Sequence, residues 1–159
     1  MCGIAGLIHR GKSSNVGREL TDMLQSLKHR GPDSTGFALY GNPKSGEYVL
    51  RFKVAEQEDM RHGFQIHDQV IERRAEVDRR LDELGVRRIS EDAATEYAFR
   101  YLVSFDGDMK KLADYVEDVE GAEILSIGNA LELVKDLGDA SVVSDQYGLA
   151  EVGGTHAIG

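Results

Sequence analysis

The chain begins MCGIAGLIHR, and Cys2 is the only cysteine among its 159 residues. A thiol becomes a useful nucleophile when a base lies within reach or its pKa is depressed. Position two offers a base directly. Removal of Met1 would free an α-amine on the same residue, and such amines titrate near 7.7 to 8.0, so part of the population is neutral and can take the thiol proton. If Met1 stays, the Cys2 nitrogen is an amide without a basic lone pair and this chemistry is lost. The competing reading makes Cys2 a small buried hydrophobe at a strand edge, the usual fate of a free cysteine. A single cysteine forms no internal disulfide, which suits a reducing compartment.

The stretch HRGPDSTG at 29–36, at the end of the first helix, is the second stretch of interest. Taken alone it also reads as a helix stop in which Asp33 caps a turn. The remaining candidates point away from metals and cofactors. His62 and His67 lie five apart, which on a helix sets them about 140° from each other, too far round to share a zinc ion. His9 reads as a surface residue and His156 as a structural one. Asp106 and Asp108 flank Gly107, but Lys110 and Leu112 stand where a calcium loop needs oxygen ligands, so a solvated turn is expected. Neither GxxxxGK nor GxGxxG occurs, which leaves no nucleotide phosphate cradle.

Composition narrows the partners. A formal charge of -9 argues against nucleic acid, whose binding surfaces are basic. No apolar run approaches the roughly 20 residues needed to span a bilayer, and the basic residues His9 and Arg10 follow the apolar opening rather than preceding it as in a secretory signal. A soluble, cytoplasmic protein is expected. The length suits one domain.

Several elements must position these residues. Residues 3–8, GIAGLI, read as a buried strand whose glycines allow close backbone approach. Val16, Leu20, Met23, Leu24 and Leu27 fall on one face of a helix over 16–28, stopped by Gly31 and Pro32 ahead of a polar loop at 33–36. FALYG and EYVLRFKVA read as strands joined in a hairpin through GNPKSG. A charged surface helix over 63–84 is closed by Gly85, and Arg73-Arg74, Arg79-Arg80 and Arg87-Arg88 alternate with acids as on a solvated helix face. Strands at 96–105 and 122–128 flank a helix over 109–119. With the strand at 48–54 these elements nearly spell a split β-α-β module, a ferredoxin-like insertion over 56–128. Beyond it the chain shows turn signals at Gly138, Gly148 and Gly153-Gly154.

MCGIAGLI, followed after an amphipathic helix by LKHRGPDSTGFALYG, resembles the class II glutamine amidotransferases, the N-terminal-nucleophile (Ntn) hydrolases that take ammonia from glutamine. ILSIGNALELVKDLGDASVVSDQYGL leading to GGTHAIG is similar to the version of that family attached to glutamate-synthase-like enzymes. The segment 56–120 carries no such likeness. The resemblance implies an α+β fold, an αββα sandwich of antiparallel sheets, here incomplete, with 1–159 as the amino-terminal part of a single amidotransferase domain. It implies Cys2 as the nucleophile, glutamine as substrate, no cofactor, and a synthase subunit or domain that receives the ammonia. Arg30, Gly31 and Asp33 match the loop beside the nucleophile, with Arg30 orienting the N-terminal strand. Family members continue past THAIG into a His-Thr-Arg stretch, an Asn-Gly pair and an acidic residue that hold the substrate and its oxyanion. These lie outside the 159 residues, so the chain alone is expected to be inactive and prone to self-association through uncovered strands. Two other readings remain: a non-catalytic binding or regulatory module on the same scaffold, and an Ntn hydrolase of a different amide.

Overall fold

The computed structural model describes every residue except Met1, Lys12, Ser13, Gly31, Pro32, Pro43 and His62. In chain order its elements are β1 (Gly6–Ile8), α1 (Val16–Ser26), β2 (Ser34–Tyr40), β3 (Glu47–Lys53), α2 (Phe64–Glu83), β4 (Arg87–Ala93), β5 (Ala98–Ser104), α3 (Met109–Glu117), β6 (Glu123–Gly128), β7 (Leu131–Leu137), α4 (Ala140–Tyr147) and β8 (His156–Ile158). The class is α+β, with two antiparallel sheets and four helices among the described residues. No helix among them is long and apolar enough to cross a membrane. The chain divides into two compact units: Met1–Pro43 with Ala130–Gly159, and Lys44–Asn129.

The first unit holds a sheet in the order β1-β8-β2-β7. Successive strand side chains alternate between faces. Leu7, Phe37, Leu39, Val134 and Ala157 occupy one face, and all but Leu7 are buried. That face takes α1 and α4, whose Val16, Leu20, Leu24 and Val143 are buried with it. Met23, assigned to the apolar face of the helix by its spacing, is 40% exposed, because the helix rolls its buried stripe onto Leu20 and Leu24. The other face of the sheet carries Ile4, Ile8, Ile158, Tyr40 and His156. Tyr40 and His156 stack with ring centroids 4.0 Å apart, so His156 has a structural place.

Three expectations are corrected here. The opening strand is an edge strand rather than a buried one: β1 pairs only with β8, and Ile4 and Ile8 are 76% and 78% exposed. FALYG and EYVLRFKVA form no hairpin, since β2 lies between β8 and β7 while β3 lies between β5 and β6 in the second sheet. Each is a central strand with both edges already paired, and long-range pairing outweighs the turn signal. The polar stretch 33–36 is not a loop beyond Asp33, because Ser34 to Gly36 open β2 against Leu137, Asp136 and Lys135. The expected helix stop at Gly31 and Pro32 lies outside the described residues; α1 itself gives way to a 3₁₀ turn at Lys28–Arg30.

The second unit orders its strands β4-β5-β3-β6, all antiparallel, with the connectivity β-α-β-β-α-β. Its compact boundary, Lys44–Asn129, is wider than 56–128 because β3 is one of its two central strands. Leu50, Phe52, Phe99, Tyr101 and Val103 meet Val70, Val77, Leu81, Leu112 and Val116 of the two helices in a buried core. Arg74 on α2 lies over the Phe99 ring at 4.5 Å and donates to the Tyr101 hydroxyl at 2.9 Å and to Glu91 at 2.7 Å. Burial pushes the Tyr101 phenol up from its usual value. Arg87-Arg88, read as part of a helix face, instead start the edge strand β4, after Gly85 at φ 74° has ended α2. The last stretch, read as turns, holds β7, α4 and β8, with the predicted turn glycines Gly138 and Gly148 on either side of α4. Asp108 caps α3 by accepting from the Lys110 and Lys111 N–H groups at 2.9 and 3.3 Å.

Gly17 in α1 sits directly under the Leu149 carbonyl: a methyl there would lie 1.9 Å from its oxygen. Helix propensity favours alanine over glycine by about 1 kcal/mol. Here the clash wins, so Gly17→Ala is expected to lower stability by about 1–3 kcal/mol. The urea midpoint checks it, and a raised midpoint would show that the helix does not approach this closely.

Candidate active site

Cys2 is exposed, at the start of the edge segment that leads into β1. Its neighbour Gly3 rests on the end of α1, where a methyl at Gly3 would come within 3.2 Å of Leu27 Cβ and 3.8 Å of Arg30 Cβ. The absence of a side chain at Gly3 therefore sets the nucleophile's segment against the turn that carries Arg30. Arg30 is exposed, and its N–H donates to the Leu27 carbonyl at 2.9 Å. Gly31 lies outside the described residues. Asp33 is exposed, and its carbonyl accepts from the Gly138 N–H at 3.0 Å, which ties the start of β2 to the β7–α4 junction. Cys2 and Arg30 are thus brought into one neighbourhood through Gly3, while Asp33 is anchored one strand further across.

Between these two places lies a cavity of about 80 Å³. Gly3 and Gly159 bound it on one side and Ser34, Thr35 and Gly36 on the other. Leu24, Leu27 and Ala140 form an apolar floor, with Lys28 and Asp139 as its charged groups. Asp139 is the N-cap of α4. Its Oδ1 accepts from the Ser141 and Val142 N–H groups at 3.0 and 3.2 Å and from Gln25 Nε2 at 2.8 Å. The Val142 N–H, with the Gln25 amide, the Ser141 N–H and the Lys28 charge, holds this carboxyl below its usual range. An anion so committed to donors is a poor proton acceptor, and Asp139 shapes the cavity rather than serving as its base. Thr35 is likewise engaged, donating to the Gly138 carbonyl at 2.8 Å.

The sequence reading missed Lys28, Ser34, Thr35 and Asp139. Asp139 had a legible signal, since GDASVV places aspartate after glycine and before an apolar run, as at a helix N-terminus. His9, read as unremarkable, has its Nε2 2.7 Å from Glu19 Oε2, and the Ser14 hydroxyl donates to the other oxygen of that carboxylate. The Ser14 hydroxyl first, and His9 with it, hold the Glu19 carboxyl below its usual value. This cluster fastens the end of β1 to the first turn of α1. His67 is exposed and pairs with Glu96 at 3.4 Å, while His62 lies outside the described residues. Among the described residues no three His, Cys, Asp or Glu side chains come together as metal ligands.

No family model matches the chain. Over its whole length it is 28% identical to a protein of Methanothermobacter thermautotrophicus named as a glutamine amidotransferase, covering 50% of that protein. Over its whole length it is also 29% identical to the glutamine amidotransferase-like protein GlxB of Rhizobium meliloti, covering 48% of it. Half of the chain is 34% identical to a Methanocaldococcus jannaschii protein named as a glutamine-hydrolysing asparagine synthetase, of which it covers 16%. The chain spans about half the length of the first two relatives. The three names support a glutamine amidotransferase family.

Because the folded-state pKa of Asp139 is depressed, its contribution to stability is present above the unfolded value near 3.9 and is lost as pH falls through the lower folded value. Asp139→Asn keeps an oxygen at the cap but not the charge. The urea midpoints of the two proteins are expected to differ at pH 6, with the native chain more stable, and to converge as pH drops below about 4. A difference independent of pH would remove the charge from the account.

Proposed function

We propose that the chain is the glutamine-hydrolysing component of a class II, Ntn-type amidotransferase of the glutamate-synthase-like branch, working in the cytoplasm with a separate synthase subunit or domain. The observation that carries this reading is the likeness, along the whole of this chain and about half of each relative, to two proteins named for glutamine amidotransferase, in a chain whose exposed Cys2 precedes Gly3 beside the Arg30 turn. The Asp33 turn and Gly31 complete the proposed substrate loop.

The mechanism uses the chain's own first residues. After Met1 is removed, the neutral α-amine of Cys2 takes the thiol proton and the sulfur attacks the side-chain amide carbon of glutamine. The tetrahedral intermediate collapses, its C–N bond breaks, and the proton held by the α-amine passes to the departing nitrogen, which leaves as ammonia. The γ-glutamyl thioester remains. The same amine then draws a proton from water, whose oxygen attacks the thioester carbon and releases glutamate with the thiol restored. Ammonia passes to the synthase partner. Arg30 is a positioning residue in this scheme, holding the Gly3 segment through the turn it occupies.

The sheet β1-β8-β2-β7 with α1 and α4 on one face is one αβ half of an αββα sandwich, and the exposed Ile4, Ile8 and Ile158 lie on the face where a second sheet would pack. The β-α-β-β-α-β unit over 44–129 is a ferredoxin-like insertion.

Intact mass before and after exposure to a diazo-ketone glutamine analogue tests the chemistry. The expected spectrum lacks Met1 and gains one adduct, located at Cys2, whereas Cys2→Ser gains none. Retained Met1, or labelling that survives Cys2→Ser, would sink the proposal.

A further inference from the structure

β4 is an edge of the second sheet, paired on one side with β5 and, among the described residues, with no strand on the other. Every residue along it is exposed except Arg88, which is half-buried. A charged and bulged edge ordinarily keeps a sheet from pairing with its neighbours, because like charge meets like. This edge carries its charges in the order Arg87-Arg88-Ile89-Ser90-Glu91-Asp92: two cations, two uncharged residues, two anions. Reversed, as an antiparallel copy would meet it, the series is its own complement.

The bulge decides which of these charges can meet. In a regular strand, residues an odd number apart lie on opposite faces. Here the register against β5 slips between Arg88 and Ser90, so Arg88 stands opposite Val103 and Glu91 opposite Tyr101, both on the face that the helices cover. Arg88 accordingly pairs with Asp78 of α2 at 3.1 Å, and Glu91 with Arg74 of the same helix at 2.7 Å. Arg87 stands opposite Ser104 and Asp92 opposite Arg100, on the other face, where Asp92 reaches Arg100 at 3.5 Å. A pair of copies about a two-fold axis normal to the sheet keeps each face on its own side. With that axis between Ile89 and Ser90, Arg87 meets the partner's Asp92 on one face, and Arg88 meets the partner's Glu91 on the other. Shifting the axis onto Ile89 or onto Ser90 sets residues of unlike face against each other. The slip in register is thus what makes the charge order usable.

We propose that β4 is a self-association edge, to which a second copy of this chain adds its own β4 antiparallel, with Arg87 opposite the partner's Asp92 and Arg88 opposite the partner's Glu91. The two sheets of four strands then join into one of eight. Opposite charges directly across an antiparallel pair stabilise it, and like charges there oppose it. The unpaired N–H and C=O groups of the edge supply the ladder, and the charges supply its register. Ile89, 41% exposed in one copy, lies beside the axis and comes alongside the partner's Ile89, which takes apolar surface out of water. A second copy is favoured over a foreign strand because it always carries the matching order of charges. The proposal concerns the second unit and does not depend on the glutamine chemistry.

Sedimentation of the full chain over a concentration series tests the pairing, with Arg87→Asp and Asp92→Arg as variants. Both side chains are exposed, and neither makes the α2 contacts of Arg88 and Glu91. The native chain is expected to form a reversible dimer. Each variant alone sets like charges across the axis and is expected to raise the dimer dissociation constant at least about tenfold. An equimolar mixture of the two variants restores opposite charge at both of these contacts. Its constant is expected to return to within about threefold of the native one, which a misfolded variant would not allow. Amide exchange along Arg87–Ala93 is expected to slow as the dimer forms. A chain that stays monomeric up to about 1 mM, or an association that neither variant weakens, would overturn the proposal, and so would weakened variants that mixing does not rescue.

Discussion

Backbone packed directly on backbone, with no side chain between, is the constraint on which the first unit depends. Besides Gly17 under Leu149, Gly154 faces the Tyr40 carbonyl so closely that a methyl would lie 2.3 Å from the oxygen. The same Gly154 exchanges two hydrogen bonds of 2.9 Å with Ser14. These approaches draw the segment after α4 across the entry to α1 and fix where β8 must start. From that start the register against β1 and β2 follows, and with it the position of Cys2 relative to Arg30 on one side and Ser34 on the other. A glycine 152 positions along the chain from the nucleophile thus decides where the nucleophile's segment runs.

The second unit is held differently. Its core is an aromatic cluster, with Phe52 edge-on to Tyr101 at 5.1 Å and tilted against Phe99 at 5.4 Å. Arg74 covers that cluster, bonding Tyr101 and Glu91 together, while Tyr101 donates to Asp78 at 2.9 Å. Charge and ring packing from the same helix residues clamp α2 to β4 and β5. Exposed ion pairs contribute little individually, but here the guanidinium is also stacked, which orients it without extra loss of side-chain freedom.

Elements with their own periodicity were legible in the sequence. The apolar spacing of α1, α2 and α3 locates each to within a residue or two, and β5 and β6 show as apolar runs. β4 hides because an edge strand carries charge on both faces, and β8 because three residues between turns have no period to display. Pairing partners were not legible, since β2 finds its partners more than ninety residues away along the chain while the local turn signal points to β3. At the site, Cys2 declares itself by type and position. The approach of its neighbour Gly3 to the Arg30 turn does not, because that closeness rests on the side chain the glycine lacks. The cavity is least visible of all, assembled from five segments that no local pattern links.

The two points at which the inserted unit leaves and rejoins the first sheet are neighbours. Tyr40 and Leu131 are paired across β2 and β7, and the Gly41 N–H donates to the Ala130 carbonyl at 2.8 Å. To that sheet, everything from Lys44 to Asn129 is equivalent to an ordinary hairpin turn. A lineage could lengthen, replace or delete the excursion without altering a single rung of the ladder, so this junction is a natural port for evolutionary exchange of modules. Recombination or protein grafting at Gly41 and Ala130 would inherit the same freedom.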